Sequence, residues 1–463
     1  MSTLNRTSSR PFALVLPVLL LLSVPSTVSA QTHVESATCS KIGQSRRVSG
    51  STLVCRQVGK KRVWVAQSKT ATPSPAVMLT ASPASLDSCR LPDRRDPSLV
   101  DMPRSLGFPL NQSRSKASGK LNLVLVAADF PNFPGAASEI TKLKDEIRKF
   151  DQWLAFQSNG RLSANWQFPA KWHRLPLAAA DYGVVGFQPL THNRITADVI
   201  SAADPDVSFA GIDEMFVYLP DSLTKSEPNR DPFQGILPQF GGKDVATPEG
   251  VIMQVKGSGT VSQMPQYGYK PTLWALWAHD LLHQIGIEGH NPVESFTLES
   301  EDYTNFVMSA WNQFLAGWMR DDQVACVPLS EIAARTVVEL DLVPLQLANS
   351  GFRTVIVPLS ESRAIVVESH RKTGYAANFG ASGILTYLMD TKNVLPYAQR
   401  ENTASVGSRF LDPNRVQIGA RPRVGNARKS AVMLQGESAS FENLKIEFVK
   451  AGVRDRVRIS VAK

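Results

Sequence analysis

Two histidines four residues apart, His279 and His283, stand in the segment LWALWAHDLLHQIGIEGHNP, Leu273–Pro292. On a helix that spacing puts both imidazoles on one face, about one turn apart. Two such rings can hold one zinc ion, and Asp280 beside them adds a carboxylate. Gly286 lets the chain turn sharply after the second histidine. His290 follows seven residues after His283 and can return to the same metal. The chain has only seven histidines, and three of them fall here. Two histidines at this spacing on a buried helix can also be satisfied core residues, and both readings stand at this point.

The elements that must position these residues are legible in part. Trp274, Leu276, Trp277, Leu281 and Leu282 surround the histidines, so a largely buried helix is expected from Pro271 to about Gly286, with Pro in the first turn and Gly at the stop. Upstream, Leu121–Phe130 is a continuous apolar run ended by Pro131, which reads as a buried strand. Ser138–Gln157 carries Ile140, Leu143, Ile147, Phe150 and Leu154 at helical spacing. Arg161–Phe168 alternates as a strand, Ile195–Ala203 reads as a helix and Gly211–Leu219 as another buried strand. Val251–Val255 reads as a short edge strand. After Trp318 the texture becomes β-rich: Val337–Val343, Arg353–Val357, Ala364–Glu368, Ile384–Leu388, Ala431–Leu434, Leu444–Val449 and Val457–Val461 are strand-like. The fold class expected is α+β, a mixed sheet with its helices followed by a β-rich C-terminal region.

The chain of 463 residues, with 43% hydrophobic and 20% charged residues, is neither disordered, fibrous nor a multispan membrane protein. Arg6 and Arg10 precede the apolar stretch Pro11–Val24, and Val28-Ser29-Ala30 places small residues before a cut, so residues 1–30 read as an export signal. Its removal takes the formal charge from +9 to +7. A secreted protein, extracellular or associated with the cell envelope, is expected, with no stable membrane span. The positive balance reads as scattered, without a basic run of the nucleic-acid-binding kind, so no nucleic-acid partner is expected.

Four cysteines, Cys39, Cys55, Cys89 and Cys326, allow three pairings in an oxidising compartment. A local Cys39–Cys55 bridge fits a small hairpin module; Cys89–Cys326 would then tie the start of the large domain to its end. Residues 31–66 form the small β module, in which Thr52–Cys55 and Arg62–Val65 flank a Gly-Lys-Lys turn. It resembles short Cys/Gly/Thr modules of secreted proteins, which points to cell-wall contact or a passive decoration. Residues 67–88 read as a Ser/Thr/Ala/Pro linker. Residues 89–326 and 327–463 follow as the large domain and the β-rich domain.

Several motifs in order resemble the immune-inhibitor-A-like (M6) group of zincin-type zinc metallopeptidases. They are LNLVLVAADFPNFPG from Leu121, Ser158-Asn159-Gly160-Arg161-Leu162, Ser309-Ala310-Trp311 with Ala316-Gly317-Trp318-Met319, Gln323-Val324, Ala364–Ser369 and Gly383–Tyr387. The resemblance covers roughly Leu121 to Val461. It implies a zincin-like catalytic domain, a Zn2+ cofactor and a protein or peptide substrate lying antiparallel to Val251–Val255. It implies His279 and His283 as ligands, Asp280 as general base in place of the usual glutamate, and Met308 as a Met-turn candidate that is otherwise core. Asp280 is one methylene shorter than glutamate and reaches roughly 1.5 Å less, and a misplacement of about 1 Å can cost 100-fold in rate. The family's third ligand position is glycine here, Gly289, so His290 is expected as third ligand, with Glu288, Glu294 or Glu299 as alternatives. A catalytically weak or inactive relative that acts as a secreted or cell-wall binding protein is the alternative reading. Asp204, Asp206, Asp213 and Glu214 suit a stabilising Ca2+ or simple loop solvation. Neither a GxSxG elbow nor a phosphate-binding loop occurs in the sequence.

Overall fold

The computed structural model describes residues 38–48, 51–58, 60–66, 76–95, 104–111, 115–183, 192–225, 245–252, 254–257, 273–287, 306–347, 350–377, 381–392, 408–410 and 432–461. The export signal expected at 1–30 lies outside them. The chain divides into two units, Met1–Pro73 and Ser74–Lys463.

In the first unit, strands β1 (Ser45–Val48), β2 (Ser51–Val58) and β3 (Lys61–Ala66) form an antiparallel sheet in that order. Cys55 lies opposite Trp64 in the register. Cys39 is bonded to Cys55, and Leu53, Cys55 and Trp64 form a small buried cluster. A core of three residues is far below what holds a domain of this length, so the disulfide is the main staple.

The second unit begins with a strand where a linker is expected. In β4 (Val77–Met78) the backbone pairs parallel with Val338 and Glu339, and Leu79 enters the core behind it. Strands β5 (Gly119–Asp129), β6 (Leu162–Gln167), β7 (Trp172–Arg174) and β8 (Glu214–Tyr218) follow, with a small hairpin of β9 (Val245–Thr247) and β10 (Gly250–Ile252), then β11 (Gln254–Gly257). The order is β11-β8-β5-β6, with β7 also on β5, and every pairing in this sheet is parallel. The expected strand Val251–Val255 is therefore two elements, a hairpin strand and a sheet edge.

This sheet is covered on both faces, which explains its unbroken apolar runs. Leu121, Leu123, Leu125 and Ala127 of β5 point into one core; Val124, Val126 and Ala128 point into the other. Helix α1 (Ala137–Gln157) packs on the first face through Leu143, Phe150, Trp153 and Leu154. Helix α2 (His192–Ala203) packs on the second through Ile195 and Val199. Helix α3 (Leu273–Gln284) joins α1 on the first face through Trp274, Trp277, Leu281 and Leu282.

Beyond α4 (Ala310–Leu315), β12 (Val324–Cys326) and α5 (Leu329–Arg335), the chain is β-rich. Its strands are β13 (Val337–Leu342), β14 (Thr354–Pro358), β15 (Arg363–His370), β16 (Gly383–Asp390), β17 (Ser408–Phe410), β18 (Val432–Met433), β19 (Ser438–Phe441), β20 (Leu444–Lys450) and β21 (Asp455–Val461). One sheet runs β12-β14-β15-β16-β17, with β18 on β16, and the other β19-β20-β21-β13-β4. The two sheets share one core, in which Val355, Val357, Ile365 and Val367 meet Val338, Leu340, Ile446 and Ile459. The opposite face of the first sheet carries Trp311 and Phe314 of α4 and the bonded pair Cys89–Cys326. The observed class is thus a mixed α+β layer followed by a β-rich region.

Candidate functional site

Helix α3 is fixed at both ends by groups from distant chain. At its N-terminus, Oε2 of Glu146 on α1 accepts the Trp274 backbone N–H at 2.9 Å. A carboxylate there satisfies a donor that no helix can satisfy internally and complements the helix dipole. At its C-terminus, the Ser115 N–H reaches the Gln284 carbonyl at 3.0 Å and the Ser105 N–H reaches that of Gly286 at 2.7 Å. Gly286 has φ +96°, so it makes the turn expected of it.

The helix brings His279 and His283 together as their spacing requires. Both are buried, with 4% and 3% exposure. Their Nε2 atoms lie 3.1 Å apart, and the rings stand edge to face at 87°. His283 Nδ1 lies 3.2 Å from the Ile287 carbonyl. With His283 Nδ1–H donating there, its Nε2 accepts from the His279 Nε2–H. Asp280 neighbours them on the helix, half-buried. The other ligands expected, His290, Glu288, Glu294 and Glu299, lie outside the described residues.

These observations correct the metal expectation. A catalytic zinc takes three protein ligands and keeps a fourth position open. Among the described residues, no group of three or more His, Cys, Asp or Glu side chains gathers where it could hold a metal ion. The calcium reading fails for the same reason, and two of the four acids concerned are engaged in ion pairs. Asp206 pairs with Lys171 at 2.5 Å, a contact that lowers its pKa, and Asp213 pairs with Lys116 at 3.1 Å and accepts the Asn122 N–H. Glu214 is buried within β8.

Met308 is fully buried in the core beside α1 and α3. Its N–H is bound by Gln157 Oε1 at 3.2 Å and its carbonyl by Gln313 Nε2 at 3.1 Å. Other motif residues also meet in space for structural reasons. Asn159 Nδ2 donates to the Trp318 carbonyl at 2.7 Å and Arg161 to that of Gly317, which clamps the end of α1 to the turn after α4. Asp129 holds Arg174 through two bonds at 2.6 and 2.9 Å and also accepts the Gly135 N–H.

A polar cluster that residue spacing does not announce is centred on β15. Glu368 and His370, two apart on one face of the strand, are fully buried and lie 2.7 Å apart. The Arg371 N–H donates to Gln346 Oε1 at 2.6 Å, which orients that amide so that its Nε2 donates to His370 Nδ1 at 3.0 Å. His370 Nε2–H must then donate to Glu368 Oε1. Oε2 of Glu368 accepts the Ala310 N–H at 2.7 Å and the Tyr387 hydroxyl at 3.1 Å. Burial and the Glu368 carboxylate push the Tyr387 hydroxyl well above its ordinary pKa, so it remains a donor. The alternation Glu-Ser-His in an otherwise apolar strand was the one signal available. The network joins α4 to β15 and β16 and is sealed from solvent.

No protein-family model matches this chain, and no curated protein matches it. The resemblance to M6-like zinc metallopeptidases is therefore corrected: neither a family match nor a metal-holding cluster among the described residues supports it, and the reading of the chain as a zinc-dependent endopeptidase falls with it. The bonds Cys39–Cys55 and Cys89–Cys326 both form, as an oxidising compartment favours. Among the described residues, no helix is long and apolar enough to cross a membrane.

Proposed function

We propose that this chain is a secreted binding protein that contacts the cell envelope and works by adhesion rather than by hydrolysis. The observation that carries the reading is that the buried pair His279 and His283 gathers no third His, Cys, Asp or Glu side chain among the described residues, so the set a catalytic zinc needs is not assembled there. Several carboxylates that could serve a catalytic centre are engaged in structural contacts instead. Glu146 caps a helix, Asp129 holds Arg174 and Glu368 anchors α4. The two disulfides and the export signal read at the N-terminus agree with work outside the cell, and the small stapled unit ending at Pro73 supplies a separate contact element.

The test uses the whole secreted chain. It is mixed with envelope fragments and sedimented, and in parallel with an unfolded protein with and without a chelator. Sedimentation with the fragments, and no chelator-sensitive cleavage, is the expected result. Cleavage abolished both by chelator and by His279→Ala would overturn the reading, as would a chain that stays in the supernatant with every fragment preparation.

A further inference from the structure

The basic charge of this protein is not scattered. Residues 38–66 hold seven of the 50 lysines and arginines and none of the 41 acidic residues, so this stretch alone carries +7. Residues 67–463 carry 41 basic and 40 acidic residues, a balance of only +1. Nearly the whole net charge of the chain thus sits in one three-stranded sheet. No carboxylate within the sheet can neutralise it. Lys41, Arg46, Arg47, Arg56, Lys60, Lys61 and Arg62 are all exposed. Packing seven like charges on so small a core works against folding, and the Cys39–Cys55 bond holds the sheet closed against that repulsion.

The register sorts these charges by face. Arg47 lies opposite Thr52 and Lys61 opposite Val58, while Arg56 sits on β2 itself. Positions 52, 56 and 58 share one face of β2. Arg47, Arg56 and Lys61 therefore run diagonally over one face, one from each strand, across about 20 Å at the rise of an extended strand. On the other face, Arg46 stacks over Trp64 at 4.4 Å and Arg62 Nη1 donates to the Ser40 carbonyl at 2.7 Å. The three charges on the diagonal remain for a ligand.

The rest of the module narrows the ligand. Trp64 is its only aromatic residue, and it is buried beneath Arg46. Single-stranded nucleic acid is gripped by bases stacking on exposed rings, and the module has none to offer. Insertion into a membrane surface needs a row of large apolar side chains on one face. Among the described residues of the module, Ile42 is the one large apolar side chain that stands exposed. Attraction to negative charges arrayed along an extended chain needs neither, and three exposed cations spread along one diagonal match it.

We propose that the module binds a linear acidic polysaccharide of the cell envelope, laid along the Arg47–Arg56–Lys61 diagonal. The proposal rests on the binding function above and names its ligand. Each cation contributes attraction that falls with salt, as in any association driven by release of counterions.

The test titrates the whole secreted chain with polygalacturonate at low and at physiological salt. It compares the native chain with three variants. The first is Arg47→Gln/Arg56→Gln/Lys61→Gln. The second, Arg47→Lys/Arg56→Lys, keeps the charge. The third, Lys120→Gln/Lys144→Gln/Lys372→Gln, removes the same charge from exposed positions of the large unit. The native chain should bind at low salt and weaken steeply as salt rises. The module triple variant should lose about a hundredfold in affinity, at roughly fivefold per basic residue near an anionic surface. The charge-keeping variant and the large-unit triple variant should stay within a few-fold of native. No binding to the polymer, or equal losses in the two triple variants, would overturn the proposal. So would tighter binding to duplex DNA or to vesicles of anionic phospholipid than to the polymer. If the module triple variant still sediments with envelope fragments, the binding function stands and this ligand assignment fails. If the polymer binds and no envelope fragment does, the envelope-binding function fails, and the proposal that its ligand is an envelope polysaccharide fails with it.

Discussion

Replacing Glu368 by glutamine tests whether the buried acid and base groups of the large unit are structural. The carboxylate accepts three bonds, from Ala310 N at 2.7 Å, His370 Nε2 at 2.7 Å and the Tyr387 hydroxyl at 3.1 Å. Glutamine keeps one oxygen. Turned toward Ala310 and Tyr387, that oxygen leaves its NH2 facing the His370 Nε2–H. His370 can relieve the clash by moving its proton to Nδ1, but then it faces the Gln346 NH2. Flipping Gln346 in turn puts an NH2 against the Arg371 N–H, which now bonds to Gln346 Oε1 at 2.6 Å. The defect can be moved along the chain of bonds and not removed. One buried donor without its acceptor costs about 1–3 kcal/mol. Losing the charge on two further bonds costs roughly 1 kcal/mol each, because charge-assisted bonds are about twice as strong as neutral ones. Glu368→Gln should therefore lose about 3–5 kcal/mol in urea unfolding followed by tryptophan fluorescence. A loss below about 1 kcal/mol would refute this reasoning and free the Glu368–His370 pair for another role.

Three further outcomes follow from the same structure. Cys89→Ser should cost on the order of 5 kcal/mol in urea unfolding, since Cys89–Cys326 closes a loop with a sequence separation of 237. Glu146→Gln should cost about 1 kcal/mol by weakening the cap on α3, measured by the same unfolding curve. The bond from Arg456 holds the Asp341 carboxyl below its ordinary pKa. That pairing stabilises the fold above the usual carboxylate range and is lost as pH falls through the lowered value. Asp341→Asn should thus lower the melting temperature slightly at pH 7, with the difference shrinking as pH falls below the usual carboxylate range; a difference that does not change with pH would contradict the pairing.

The elements that read correctly from sequence are those with a strong physical period or a long apolar run. The run of β5 is apolar throughout because alternate residues feed two different cores, and α1 shows its stripe because it covers one face. Short strands did not announce themselves. β4 has two residues and β7 three, and each exists because a neighbour offers an open edge. Val251–Val255 read as one strand because periodicity cannot mark where a chain leaves a hairpin for a sheet edge.

The candidate site was legible only in its local part. The i,i+4 spacing of His279 and His283 fixes that the rings meet, and they do. Whether a third ligand joins them depends on chain far away in sequence, where spacing has no authority. The Glu368 network was invisible for the same reason, since Gln346, Ala310 and Tyr387 come from three separate elements or loops. The charge of the small module was hidden differently. A whole-chain balance of +9 looks mild until it is divided by segment.

The most direct test of the account is the retention of the whole secreted chain on envelope fragments, native against Arg47→Gln/Arg56→Gln/Lys61→Gln, as salt is raised. The native chain should be held at low salt and released as salt rises, and the variant should be released at markedly lower salt. Identical release curves for the two proteins, or a native chain that is never retained, would contradict it.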